Sequence, residues 1–257
     1  MEWIRRATLD KQPGIREYQC TLVLGAPGKG KSTLLRDMID EYFIKYRLHY
    51  PPPYFPRCFV HALSDSRTFY DLPDIGQLAQ KKRLKDPLAI IRNVDKYGRS
   101  AFWNRYPTLK YVIKGKSNIQ ELTETISDYF RNGLTIWDEW TTYVDSNPPD
   151  WQIDLGFNRR NYGQEVIYVC HMIRKVPIVL ANSAVFRYVI LFDTEEEELQ
   201  PKDFKRFACA KSLMKAHRLV SKAPHYNKRV QYHIIIDRKD KKLYEWLPKK
   251  GKYQLVR

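Results

Sequence analysis

The stretch Gly25-Ala26-Pro27-Gly28-Lys29-Gly30-Lys31-Ser32-Thr33 constrains this chain more than any other. It fits the pattern G-x-x-x-x-G-K-[ST] in full, and each fixed position has a physical reason. Glycines let the backbone turn its N–H groups inward around phosphate oxygens, and the N-terminus of a following helix adds a positive dipole. Lys31 reaches the β- and γ-phosphates as a point charge, and Ser32 supplies a hydroxyl to Mg²⁺. The flanks agree. Residues 20–24 are an apolar run, read as a buried strand entering a tight loop. From Ser32 onward Leu35, Met38, Ile39, Tyr42, Phe43 and Tyr46 recur every three or four residues, as on one face of a helix that Pro51, Pro52 and Pro53 stop. Residues 25–33 are the expected nucleotide-binding loop.

A second site follows from charge placed after an apolar run. Residues 134–137 read as a buried strand ending in Asp138 and Glu139. Asp138 is suited to hold Mg²⁺ through water. Glu139, the next residue, is expected on the other side of the strand end, where it polarises the attacking water as a general base. Asp-Glu pairs cap strands and helices everywhere, so the pair has meaning only after such a strand in a chain with a phosphate loop. A water-activating carboxylate favours hydrolysis over transfer to an alcohol. The interval from Lys31 to Asp138 leaves room for further strands at 57–63 and 109–113.

The remaining periodicities complete an α/β pattern. Ser117-Asn118-Ile119-Gln120 fits a capping box opening a helix with Ile119, Leu122, Ile126 and Phe130 on its apolar face, ended by Asn132-Gly133. A helix is expected at 149–162, strands at 165–170 and 185–192, and a basic helix around 202–220. A hairpin follows, with arms 231–237 and 242–247 around Arg238-Lys239-Asp240-Lys241. Residues 64–108 look irregular and polar, an insertion or a binding loop, and include the basic run Lys81-Lys82-Arg83. Strands alternating with helices imply a mainly parallel central sheet with helices on both faces. The 257 residues suit one domain, with its core at about 18–200 and the basic helix and hairpin of 201–257 packed on it.

Charge is unevenly placed. The chain carries 45 Lys and Arg against 29 Asp and Glu, a net charge of +16. Residues 201–257 hold 17 of those cations and only four of the anions, whereas residues 1–200 are nearly balanced. Such asymmetry points to a polyanion, most commonly nucleic acid, with a solvated basic face or an anionic membrane surface as the alternatives. The interleaved Phe204, Phe207, Tyr226, Tyr232, Tyr244, Trp246 and Tyr253 could stack on bases but fit core and hairpin positions better. Cys20, Cys58, Cys170 and Cys209 show no CxxC spacing, so neither a zinc site nor a disulfide framework is expected. No apolar run approaches the roughly 18 residues that cross a bilayer. Glu2, Arg5 and Arg6 are unlike a signal peptide, so a soluble protein is expected.

Beyond the acidic strand come Arg159-Arg160-Asn161-Tyr162-Gly163, then 165–170 leading to His171, then Arg174-Lys175-Val176-Pro177 and Ala181-Asn182-Ser183. Together with the loop and the acidic strand, these resemble the FtsK/HerA superfamily of DNA-pumping ATPases over residues 18–195. The small size resembles most the genome-packaging ATPases of tailless icosahedral double-stranded DNA viruses of the internal-membrane type. The resemblance implies a RecA-like P-loop NTPase fold and hydrolysis of ATP with Mg²⁺ coupled to double-stranded DNA translocation. It also implies a homo-oligomeric ring, hexamer or pentamer, capsid or portal-vertex partners, and a place in the host cytoplasm or the virion. Arg160, or Arg159, would be an arginine finger reaching a neighbouring subunit's ATP, the alternative being a solvated helix end. The family's Thr-Gln at the end of the fourth core strand is Cys170-His171 here. His171 can still bond to a phosphate or to the attacking water, against the alternative of a satisfied core histidine. A Cys170–His171 nucleophilic pair is disfavoured because neighbouring strand residues face opposite sides. A cellular HerA-like translocase, a filamentous-phage-type assembly ATPase and a non-hydrolysing nucleotide-binding regulator are the competing functions.

Overall fold

A computed structural model describes residues 18–49, 54–62, 69–112, 118–142, 147–196, 199–224 and 231–256, with residues 45–49 as backbone only. Among the described residues nine strands form a single sheet: β1 (Cys20–Leu24), β2 (Cys58–Ala62), β3 (Thr108–Val112), β4 (Leu134–Trp137), β5 (Glu165–Cys170), β6 (Tyr188–Leu191), β7 (His233–Asp237), β8 (Lys242–Leu247) and β9 (Lys252–Leu255). Their order is β3-β2-β4-β5-β1-β6-β7-β8-β9. The pairings from β3 through β6 are parallel, and those from β6 to β9 are antiparallel. The fold is α/β with a mainly parallel sheet. The strand β5 lies between β1, which leads into the phosphate loop, and β4, which leads into Asp138 and Glu139. The two motifs are thereby set one strand apart rather than side by side.

The central strands are buried on both faces, which explains their continuous apolar runs. Along β1, Cys20, Leu22 and Leu24 enter one core while Val23 enters the other. The helix α1 (Lys31–His49) covers the Val23 face with Leu34, Leu35, Met38, Ile39 and Tyr42. The remaining helices pack on the opposite face: α2 (Ile75–Lys81), α3 (Ala89–Arg92), α4 (Ala101–Arg105), α5 (Ile119–Tyr129), α6 (Asp150–Tyr162), α7 (Ile178–Asn182), α8 (Pro201–Lys205) and α9 (Ala210–Val220). Each fully buried Leu, Ile or Phe contributes about 1.5–3 kcal/mol, so both faces are strongly specified.

The structure corrects four expectations. Residues 64–108 are not an irregular insertion, because 75–105 carry α2, α3 and α4 and bury Ile75, Ala79, Ile90, Ile91 and Trp103. Arg57 organises this segment from just before β2. Its fully buried guanidinium donates to the carbonyls of Asp95, Lys96 and Arg131 and lies 5.0 Å from the ring centroids of both Trp103 and Phe130. The basic helix expected at 202–220 is two helices. Phe207 is buried and the Ala208 N–H donates to the Ala181 carbonyl at 3.0 Å, which turns the chain between α8 and α9. The strand expected at 185–192 is shorter, since only Tyr188–Leu191 is regular strand. The C-terminal hairpin gains a third strand, β9, after a turn at Gly251, whose φ of +59° suits glycine.

The helix α5 begins after Asn118, whose side chain makes no capping bond. Ser117 of the expected capping box lies outside the described residues. So do the N-terminal lead-in up to residue 17, the prolines at 51–53, Leu63 and Ile113 at the strand ends, and Tyr226. Among the described residues no helix is long and apolar enough to cross a membrane.

Candidate nucleotide site

The carboxyl ends of β1, β4, β5 and β6 converge at one edge of the sheet, the edge where open α/β sheets bind ligands. The phosphate loop springs from β1 and is tied to its neighbours on both sides. The Gly25 N–H donates to the Cys170 carbonyl at the end of β5 (3.1 Å), and the Ala26 N–H donates to the Asp193 carbonyl beyond β6 (2.8 Å). Gly28 and Gly30 take φ values of +78° and +86°, which only glycine adopts without strain. Pro27 and Gly28 are exposed at the tip, and Ser32 and Thr33 lie half-buried in the first turn of α1.

Lys31 lies across the loop rather than out in solvent. It is 6% exposed, and its Nζ donates to the Gly25 carbonyl at 2.6 Å and the Ala26 carbonyl at 2.8 Å. Burial pushes its pKa down to about 8, opposed by the charges of Asp138 and Glu139. Asp138 follows β4, where its N–H donates to the His61 carbonyl of β2 at 2.9 Å. It is 8% exposed, and burial, reinforced by the Glu139 charge, raises its carboxyl to about 6. The Lys31 charge offsets that rise only in part, so Asp138 fits a divalent cation brought in with the nucleotide. The hydroxyl of Ser32 is the second group suited to hold it. Among the described residues no cluster of three or more His, Cys, Asp or Glu side chains is arranged to hold a metal by itself. Mg²⁺ held largely by substrate phosphates and water needs no such cluster.

Glu139 departs from the expected strand alternation. The strand stops at Trp137, and Glu139 takes a left-handed φ of +53° before a short 3₁₀ turn at Trp140–Thr142. That conformation costs a non-glycine residue about 1–2 kcal/mol. The turn brings Glu139 Oε1 to 3.8 Å from His171 Nε2. His171 sits just beyond β5, with its Nδ1 3.4 Å from both the Gly25 carbonyl and Lys31 Nζ. It therefore stands between the loop lysine, Lys31, and the candidate base, half-buried, and is no core histidine. Cys170 beside it is fully buried and its thiol is pushed well up, so it is inert.

Lys31, Asp138, Glu139 and His171 come together; Arg159 and Arg160 do not join them. Both arginines sit in the last turn of α6, at the opposite edge of the sheet. Arg159 is held there by backbone carbonyls, its Nε donating to that of Tyr18 (2.6 Å) and its Nη1 to that of Gly156 (2.5 Å). Arg160 is exposed. Two carboxylates at the loop were not anticipated. Lys29 Nζ pairs with Asp193 Oδ2 at 3.2 Å and Glu195 Oε1 at 2.6 Å, which raises its pKa, chiefly through the Glu195 bond. The only hint in the sequence was the acidic run at 195–198 following an apolar strand.

No protein-family model matches this chain, and no curated protein matches it. Solved structures do. The genome packaging NTPase B204 from Sulfolobus turreted icosahedral virus 2, in complex with sulfate, is similar at a TM-score of 0.62 and 11% identity, covering 90% of this chain and 96% of that one. The same NTPase in complex with ATP-gammaS gives 0.60 and 11% over 91% and 99%. VirB4 of Thermoanaerobacter pseudethanolicus gives 0.50 and 10% over 96% and 91%. At such identities the likeness is one of fold. The chain has the fold of the P-loop NTPases, shared with a viral genome packaging NTPase, in agreement with its FtsK/HerA resemblance.

Proposed function

We propose that this chain hydrolyses ATP and uses the energy to move double-stranded DNA, in the manner of viral genome packaging and as a homo-oligomeric ring. The observation that carries the hydrolytic part is the grouping of buried Lys31 and Asp138 with half-buried Glu139 and His171 around one loop. The fold shared with a packaging NTPase supports the choice of DNA as cargo, as does the basic C-terminal quarter.

ATP enters with Mg²⁺. The N–H groups of residues 25–33 surround its phosphates, and Lys31 exchanges its bonds to the Gly25 and Ala26 carbonyls for phosphate oxygens. Ser32 and Asp138 would hold the cation, which would supply charge neutralisation to the phosphates. Glu139 accepts the proton of a water as its oxygen bonds to the γ-phosphorus, and ADP and inorganic phosphate leave. His171 orients Glu139 and contacts the phosphate end, so loss of the γ-phosphate reaches the acidic turn through it. Arg160 cannot reach its own chain's nucleotide, so its role is in trans, toward the site of a neighbouring copy. Arg159, fixed to backbone carbonyls, supports the helix end from which Arg160 projects.

Steady-state ATP hydrolysis measured against increasing lengths of duplex DNA tests this reading. Turnover that rises with duplex length at low salt is expected. ATPase activity indifferent to DNA would remove the motor, and absence of hydrolysis at every protein concentration would remove the enzyme.

A further inference from the structure

A cavity of about 690 Å³ opens at the edge of the sheet away from the phosphate loop. Seven cationic side chains and one carboxylate, Asp237, line it; with Arg160 given above to a neighbouring copy's nucleotide, six cations are left for another anion. Three of the cations are fixed in place. Arg159 is held by backbone carbonyls as described; Arg238 Nη1 donates to the carbonyls of Ser183 and Phe186, each at 2.9 Å; and Arg187 pairs with Asp237 at 3.0 Å. Carbonyl partners leave the charges of Arg159 and Arg238 in place, whereas Asp237 and, at 3.7 Å, Asp240 offset that of Arg187, so the cavity keeps a net positive lining. Lys211 reaches it from the first turn of α9, and Lys239 and Lys241 from the turn between β7 and β8.

The positive surface runs on from there. Lys211, Lys215 and Arg218 follow one another at helical spacing along α9 and line a second hollow of about 330 Å³. Lys211 belongs to both hollows, so the basic surface extends about 10 Å along the helix beyond the cavity. A track this long exceeds what one nucleotide's phosphates need, and it matches a backbone that presents a charge every few ångströms. The apolar lining consists of Ala184, Ala208, Cys209, Ala210, Ile236 and a buried Phe186, none of them a platform for stacking a base. Recognition here would be of phosphates and not of sequence.

We propose that this cavity and the adjoining face of α9 bind the phosphodiester backbone of double-stranded DNA. The phosphate chemistry stands on the cavity alone, while the choice of duplex DNA rests on the motor reading above. The test is equilibrium binding of the full chain, without nucleotide, to a duplex of about 30 base pairs across a salt series. The variant K211A/K239A/K241A empties the cavity rim of lysines. K249A/K250A/K252A removes an equal charge from the exposed β8–β9 turn and its flank. Neither set touches the nucleotide site, so binding of a fluorescent ATP analogue to both should match the unmodified chain.

The expected result is a loss of at least tenfold in duplex affinity for the cavity variant only, with a salt dependence shallower by about two to three log units per log unit of salt. Equal losses from both triples, or a loss from neither, would overturn the assignment while leaving the motor reading intact. A cavity variant with full duplex affinity whose ATP turnover falls only at high protein concentration would also overturn it, by assigning the cavity to contact with a second copy. An unmodified chain that hydrolyses ATP but binds no polynucleotide would remove the DNA cargo and this site together.

Discussion

The two edges of one parallel sheet have been given opposite electrostatics. At the carboxyl edge, cations and anions are matched: Lys29 with Asp193 and Glu195, and Lys31 facing Asp138 and Glu139, with His171 between. Lys31 and Asp138 are buried there, and their pKa values converge toward neutrality, Lys31 falling to about 8 and Asp138 rising to about 6. At the amino edge, seven cations meet one carboxylate around an open cavity. A balanced edge is suited to a small ligand that shifts its charge states. An unbalanced, open edge is suited to a large anion or a neighbouring copy's charge. The net charge of the whole chain conceals this division.

The sharpest way to break the comparison is to empty the carboxyl edge. Lys31→Ala removes the buried ammonium aimed at the phosphates, and ATP turnover should fall by about 10³-fold or more. Duplex binding measured on the same preparation should stay within threefold, because the lysine lies at the other edge. Next comes Arg160→Ala, expected to lower turnover by about 10³-fold if the amino edge completes a neighbour's site. Mixing it with Lys31→Ala chains should restore activity above either variant alone. Mixtures no more active than their components would confine Arg160 to its own chain.

His171→Ala should cost about tenfold in kcat while nucleotide affinity changes little, with His171→Gln recovering most of the loss. An unchanged kcat in His171→Ala would leave the histidine only a packing role. The smallest expected effect is a proton count. Phosphates favour charged Lys31, so binding ATP at pH 8 should take up about half a proton. Near pH 6, Mg²⁺ at Asp138 favours the carboxylate, so binding should release protons there instead. Titration calorimetry in buffers of different ionisation enthalpy reads both signs, and heats independent of buffer at pH 8 would contradict the buried ammonium.

What the sequence showed and what it hid divide along physical lines. The phosphate loop, β1, β4 and β5 were legible because strand, turn and helix signals there are local and lie next to each other. Asp138 was legible because it follows a strand buried on both faces. Glu139 was legible as a residue but not in its placement, since its left-handed turn depends on the 3₁₀ segment behind it. The helices α2 to α4 were hidden because what organises them, Arg57 between Trp103 and Phe130, is assembled from three distant stretches. The break between α8 and α9 hangs on the Ala181 carbonyl, also distant. The strand β9 was missed because an exposed, four-residue edge strand has too little pattern to read. Likewise the sequence could not separate Arg159 from Arg160. Only the Tyr18 and Gly156 carbonyls show that the first is anchored and the second available.

The central claim, that hydrolysis belongs to the carboxyl edge and runs through Glu139, meets its most direct test in the Glu139→Gln variant saturated with MgATP and duplex DNA. Its rate of ATP turnover should fall by at least about 10²-fold while the nucleotide remains bound. Turnover at the rate of the unmodified chain would contradict the account.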